Sequence, residues 1–349
     1  MKRIISAALA VLIVITVGTV SASCSKSQKQ DESWKTNDKY DLSVPVLGQD
    51  GWHLVFEDDF NGTSLNEDIK FGDTYTGNRE IWTYSPHAIR WPSNDEDKPA
   101  QACYWCPETV EIRDSKLIVH SRYEDNHECN GDCPKQGRFT GGIETRKIIG
   151  DNNNNKGTND EMLFSQAFGY YECRVKFPKS QGMWSAFWLQ SSNMRKVGNE
   201  GKDGTEIDVF ESAFINSADS EMGHALLWDG YGKKAKSSPY ITKLDRDLYD
   251  GWHTFALKWT PDYYVFYIDG KATWATADGD VSRVREFLRF TCEIDAGDGW
   301  GPHGQKIGQF DDSVPADDFE VDYIKVWQNS NYESAIQPDD VFEGSVDLD

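Results

Sequence analysis

Apolar and polar positions alternate in short runs along most of the chain. Residues 52–58, 109–113, 116–122, 142–147, 168–177, 184–190, 205–211, 252–260, 263–268, 287–294 and 319–327 each show two-residue alternation or a brief apolar run, and read as strands. Turn chemistry separates them, at Asn61-Gly62, Pro261-Asp262 and Asp269-Gly270. Helical spacing is confined to a short stretch at 282–286. Many strands between residues 51 and 328, with no internal repeat, predict a single all-β domain built as a two-sheet sandwich. The polar runs 93–99 and 152–160 are expected to be flexible loops.

The two ends have a different texture. Lys2 and Arg3 precede an apolar run at 4–20, then Ser21-Ala22-Ser23 and Cys24. A charged, apolar, small-residue order is that of an export signal, and the run is short for a membrane-spanning helix. Cysteine directly after the small residues resembles a bacterial lipoprotein signal. That resemblance implies removal of residues 1–23, acylation of Cys24 and anchoring to a bacterial outer membrane; plain secretion is the other reading. Residues 24–50 are polar and are expected to be a flexible tether, and the acidic stretch 329–349 a tail.

Composition narrows the function classes. The chain has 349 residues and a formal net charge of −22, which excludes a phosphate backbone as the natural partner. Aromatic residues make up 13%, with 13 Trp, more than a polar acidic chain needs for its core. Surplus indole rings suit the apolar faces of sugars. No nucleic acid is expected, and the chain is expected to act as a monomer.

The segment Glu206-Ile207-Asp208-Val209-Phe210-Glu211 concentrates the candidate chemistry. Alternation puts Glu206 and Asp208 on one strand face. Glu211 lies five positions after Glu206, an odd offset that turns it to the opposite face. One extra residue, a β-bulge around Val209 and Phe210, would return it to the same side. Like charges on one face repel, and each carboxylate loses water when crowded. Two carboxylates about 5–5.5 Å apart are the pair that a retaining glycosidase uses, one as nucleophile and one as acid/base. A solvated acidic edge strand is the alternative on these six residues alone.

Seven cysteines are present. Cys103-x2-Cys106 and Cys129-x3-Cys133 flank a hairpin pattern that turns at Asp114-Ser115, so the four thiols are expected to converge. The spacing would suit zinc. Export favours two disulfides instead. Cys173 and Cys292, inside apolar strand patterns, read as buried thiols.

In order, the strands resemble glycoside hydrolase family 16, whose fold is a concanavalin-like β-jelly roll. The resemblance spans residues 51–328. It rests on Leu54-Val55-Phe56-Glu57-Asp58-Asp59-Phe60-Asn61-Gly62, Phe139-Thr140-Gly141-Gly142-Ile143, the run from Phe168 to Pro178, Gly182-Met183-Trp184-Ser185-Ala186-Phe187-Trp188, the acidic segment, the stretch from Trp252 to Gly270, and Val321-Asp322-Tyr323-Ile324-Lys325-Val326-Trp327. It implies a catalytic domain with Glu206 as nucleophile, Glu211 as acid/base and Asp208 as the group that sets the nucleophile's protonation. The bulged spacing goes with laminarinase-, agarase- and carrageenase-like members, so the implied activity is a retaining endo-β-glycanase on a polysaccharide, with β-1,3-glucan as the default. Agar-like β-galactans and poly-N-acetyllactosamine or mucin-type glycans stay open, as does a non-catalytic lectin. Trp184 and Trp188 match a segment lining sugar subsites, either as a shared platform or with one ring in the core. His224 matches a histidine facing the same site, although a structural role suits a lone His as well. Trp82, Trp228 and Trp300 are candidate subsite walls. No cofactor is implied for catalysis. A structural calcium is implied at Asp59 and Asp322, each of which taken singly reads as an ordinary surface acid.

Overall fold

Alternation along the chain resolves into two antiparallel sheets packed face to face. The computed structural model describes residues 31–75, 77, 79–90, 103–131, 133–149, 160–212, 221–294 and 310–346. Cys24 and Trp300 lie outside the described residues, as do residues 1–23 and the expected loop at 93–99 and most of that at 152–160.

One sheet runs, in spatial order, through Lys271–Thr276, Tyr264–Ile268, His253–Trp259, Gly169–Lys176, Asp317–Asn329, Leu117–Glu124 and Gly137–Thr140, with Trp52–Asp58 also paired to Asp317–Asn329. The other runs through Lys236–Lys243, Glu221–Trp228, Glu206–Glu211, Met183–Gln190, Phe287–Ile294 and Gly142–Glu144. Between them lies an aromatic core. Phe210 meets Phe255 at 4.5 Å and Phe177 at 5.3 Å, and Phe187 stacks on Phe290 at 4.6 Å. Removing such a ring would cost about 3–5 kcal/mol, because the surrounding sheets cannot collapse into the space.

The expected β-sandwich is therefore present, and strands 52–58 and 287–294 have the expected ends. Glu221–Trp228, Lys236–Lys243 and Lys271–Thr276 were not legible as strands. Lys236–Lys243 is an edge strand carrying Pro239 and lysines, which protect an open edge and erase the alternation signal. The stretch at 282–286 is not a helix: Glu286 makes a β-bridge with Gln166, and Ser282 O accepts from Trp259 Nε1.

Both ends depart from expectation from Asp31 onward. Trp34 is buried and its indole N–H donates to Tyr240 Oη at 3.3 Å. Lys258 Nζ donates to Ser43 O at 2.7 Å, and Tyr40 packs edge-on against Tyr263. Residues 31–50 are thus docked on the sandwich rather than a free tether. The acidic tail docks as well: Tyr332 packs on Trp52, Asn193 Nδ2 donates to Asp339 O at 2.8 Å, and Ser345–Val346 pairs with Lys196–Val197. A few aromatic anchors and backbone hydrogen bonds suffice to fix segments whose polar composition suggested disorder.

Candidate active site

The strand Glu206–Glu211 sits in the middle of its sheet, between Met183–Gln190 and Glu221–Trp228. Its start is fixed from behind. Thr205 donates through its backbone N–H and its hydroxyl to Glu286 Oε1, at 3.0 and 2.9 Å. Gly204 enters with φ +134°, where a Cβ would run into Ser191. Ile207 and Phe210 are fully buried in the core.

Register shows how the odd offset is resolved. On one side Phe187 pairs with Phe210 and Trp188 with Asp208, leaving Val209 as the extra residue. On the other side Asp208 pairs with Ala225 and Glu211 with Gly223, so two residues oppose His224 alone. This is a β-bulge between Asp208 and Glu211, and it returns Glu211 to the face of Glu206 and Asp208. His224 holds the bulge from the core side. Its Nδ1 lies 2.7 Å from Val209 O, a carbonyl that can only accept, so Nδ1 carries the proton and Nε2 accepts from Thr273 Oγ1 at 3.1 Å. Burial holds the ring neutral, with its pKa lowered to about 4. It packs on Phe266 and Trp274 of the opposite sheet, so it is a core residue and not a contact on the face of the acids.

The three carboxyl groups differ in setting. Asp208 is 3% exposed, whereas Glu206 and Glu211 are half-buried. Burial, then the charges of Glu211 and Glu206, push the Asp208 carboxyl well above the ordinary range. Glu206 Oε2 accepts from the Tyr231 hydroxyl and from Gln190 Nε2, the latter at 3.3 Å. Gln190 is itself oriented by Arg289, whose Nη1 donates to Gln190 Oε1 at 3.3 Å and whose Nε lies 3.0 Å from Glu144 Oε2. Glu211 Oε1 accepts from the Trp184 indole N–H at 3.2 Å.

Trp184 and Trp188 share the face of the acids, because Ala186 and Trp188 pair directly with Glu211 and Asp208. Trp188 donates to Thr291 Oγ1 at 3.0 Å and carries the Arg289 guanidinium 4.0 Å from its ring centre. Two other tryptophans are not subsite walls. Trp82 is 1% exposed and donates to the buried Asp58 Oδ2 at 2.8 Å; Trp228 belongs to the core, its ring pressed against Gly279. Asp59 and Asp322, the implied calcium ligands, are each paired with a cation. Asp59 faces Lys325 at 3.6 Å and Asp322 faces Arg174 at 2.6 Å, cations that compete with any metal. Gln190, Arg289, Tyr231 and Glu144 were missed. A lone Arg within the apolar run 287–294 was the available signal.

A family model for glycosyl hydrolases family 16 matches residues 124–308, more than half of the chain. The chain belongs to this family. A relative, the beta-glucanase of Acetivibrio thermocellus, is 24% identical over 65% of this chain and 55% of its own length. The chain thus spans about half the length of that curated relative. Among solved structures, the catalytic domain of an endo-1,3-beta-glucanase (laminarinase) from Thermotoga petrophila aligns over 80% of this chain and 99% of its own, at 18% identity and TM-score 0.54. An endo-acting O-glycanase of the human gut microbiota, described as initiating mucin breakdown, aligns over 85% of this chain and 96% of its own, at 20% identity and TM-score 0.56. Family 16 membership accords with the β-sandwich, and these likenesses at low identity speak to fold alone.

Proposed function

We propose that this family 16 chain is a retaining endo-β-glucanase that cuts internal β-1,3 bonds of a laminarin-like polysaccharide. One observation carries the reading: the bulge that gathers Glu206, Asp208 and Glu211 on one face of a central strand. Glu206 attacks the anomeric carbon and forms a glycosyl-enzyme; its carboxylate is aimed by Tyr231 and Gln190. Glu211 protonates the departing glycosidic oxygen, then takes a proton from water that releases the sugar. The Trp184 N–H fixes the orientation of Glu211. Asp208, between the two glutamates on the same face, has its carboxyl raised by burial and by the charges of Glu211 and Glu206, and in turn bears on the protonation of the nucleophile. No cofactor enters these steps. The name of the curated relative, beta-glucanase, supports the choice of β-glucan.

Reducing-end release from laminarin, lichenan, agar and poly-N-acetyllactosamine, with Glu206→Gln as control, tests the proposal. Oligosaccharides from laminarin that vanish in the variant are expected. Cleavage of a galactan alone would overturn the substrate, and binding without cleavage would overturn the enzyme. We further propose export and lipid anchoring at Cys24, supported by the order of charged, apolar and small residues before it. Metabolic labelling with an alkyne fatty acid should mark the chain and fail in Cys24→Ala; equal labelling of both would refute the anchor.

A further inference from the structure

Away from the acidic strand, three stretches of chain meet at one point. His87 directly precedes the strand Ala88–Arg90, which pairs with Cys103–Trp105. Cys106 directly follows Cys103–Trp105, and its backbone N–H donates to Thr140 O at 2.8 Å. Cys129 and Cys133 belong to the connection between Leu117–Glu124 and Gly137–Thr140. One ligating atom from each of His87, Cys106, Cys129 and Cys133 lies within 4.8 Å of the others, and among the described residues no other group of three or more metal-binding side chains does so.

The expected convergence of four thiols is thereby corrected. Cys103 and Cys106 are three positions apart, and in extended chain an odd offset sends them to opposite faces. Cys103 points inward and accepts the Ile294 N–H at 3.3 Å. His87 takes the fourth place. The pairing is corrected too: Cys129 is bonded to Cys133, whereas Cys103 and Cys106 stay reduced.

We propose that His87, Cys106, Cys129 and Cys133 form a structural zinc site, filled as the newly made chain folds and before Cys129 and Cys133 oxidise. Three thiols lose their protons on binding and neutral His87 contributes a ring nitrogen, giving the tetrahedral set of three sulfurs and one nitrogen that zinc favours. Cys106 Sγ and His87 Nδ1 are 3.7 Å apart. Zn–S and Zn–N bonds of about 2.3 and 2.05 Å at a tetrahedral angle put S and N about 3.6 Å apart. A disulfide between Cys129 and Cys133 gives no reason for a buried Cys106 and a His to aim at the same point. The Cys129–Cys133 Cα separation, 6.8 Å, is at the wide end of what a disulfide spans.

The surroundings fit a held ligand. His127 is buried, stacks on Phe139 at 3.7 Å, lies 2.7 Å from Glu124 through Nδ1, and presents Nε2 to Cys106 Sγ at 3.0 Å. Such partners orient metal-bound thiolates. Glu108 Oε2 accepts from the Cys106 thiol at 3.0 Å, a hydrogen bond that metal binding would replace, and its Oε1 accepts the Asn130 N–H. Gly131 is required beside the site, since a Cβ there would come within 2.5 Å of the His87 ring.

The test is metal content by mass spectrometry on full chain purified without chelator, together with Co²⁺ titration of the reduced wild-type chain. About one zinc per chain is expected, and sulfur-to-cobalt charge-transfer bands with tetrahedral d–d absorption on titration. Cys106→Ser and His87→Ala should lose the metal, His87→Cys should retain it, and Cys103→Ser should be unaffected. The proposal is overturned if the purified chain carries the Cys129–Cys133 disulfide and no zinc, and the reduced chain gives no tetrahedral cobalt spectrum. Equal metal retention in Cys106→Ser and Cys103→Ser would overturn it as well. The cobalt spectrum needs no variant, so a substitution that fails to fold does not blunt the test.

Discussion

Asp58 and Asp208 are both almost fully buried, and burial pushes both carboxyls above the usual range, that of Asp58 to about 7. Their neighbours differ. Asp58 accepts from the Phe60 N–H at 2.8 Å and from the Trp82 indole at 2.8 Å, so its acceptors are used by the fold. Asp208 has two more carboxylates on its own face, whose charges act in the same direction as its burial. Burial alone therefore marks a structural carboxyl as readily as a chemical one. Asp59 and Asp68 also raise Asp58, so like charge alone is not the mark either; two further carboxylates gathered on the same strand face separate the second kind.

The contrast can be broken most directly by removing the charges that distinguish Asp208. Glu206→Gln should lower laminarin hydrolysis by at least about 10⁴-fold while the melting temperature holds or rises, since a crowded negative charge is gone. Asp208→Asn should lower kcat by about 10²-fold with thermal stability again unchanged or improved. The opposite pattern is expected at the other carboxyl. Trp82→Phe removes the donor to Asp58 and should cost about 1–3 kcal/mol in urea unfolding, with kcat within about 2-fold of wild type. Equal activity losses for Asp208→Asn and Trp82→Phe would erase the distinction. Tyr231→Phe, which deletes one donor to Glu206, should reduce kcat by about 10-fold and leave stability alone.

A pH series sharpens the same comparison at smaller scale. Native Asp58 keeps its proton up to about pH 7, whereas an unfolded Asp loses it near its ordinary value of 3.8. Between those values the native state binds more protons, so stability falls as pH rises through the window. Wild type should lose on the order of 3 kcal/mol there relative to Asp58→Asn. His224 acts with the opposite slope. Its buried ring stays neutral down to about pH 4 while the unfolded ring protonates from its ordinary 6.5. Stability therefore rises with pH between those values, and His224→Gln should flatten that limb in pH-dependent urea unfolding.

Much of this was legible because two-residue alternation survives wherever one strand face is buried. The acidic strand even announced its bulge, since three carboxylates at that spacing cannot otherwise share a face. Legibility failed where the sequence carries no periodic trace. Trp82, Trp228 and His224 look like ligand residues in isolation, and only the register of Glu221–Trp228 shows His224 and Trp228 turned inward. Segments 31–50 and 329–346 hid their docking because single aromatic anchors such as Trp34 and Tyr332 leave no pattern. The network from Glu144 through Arg289 and Gln190 to Glu206 draws on four separate strands, so no local window contains it.

The central claim is that the bulge makes Glu206 a nucleophile facing the same space as Glu211. Intact-mass and peptide mapping of the chain after exposure to an activated 2-deoxy-2-fluoro β-1,3-glucoside tests it directly. A single fluoroglycosyl adduct on Glu206 is expected, abolished in Glu206→Gln. An adduct on another residue, or turnover with inverted anomeric configuration and no adduct, would contradict the account.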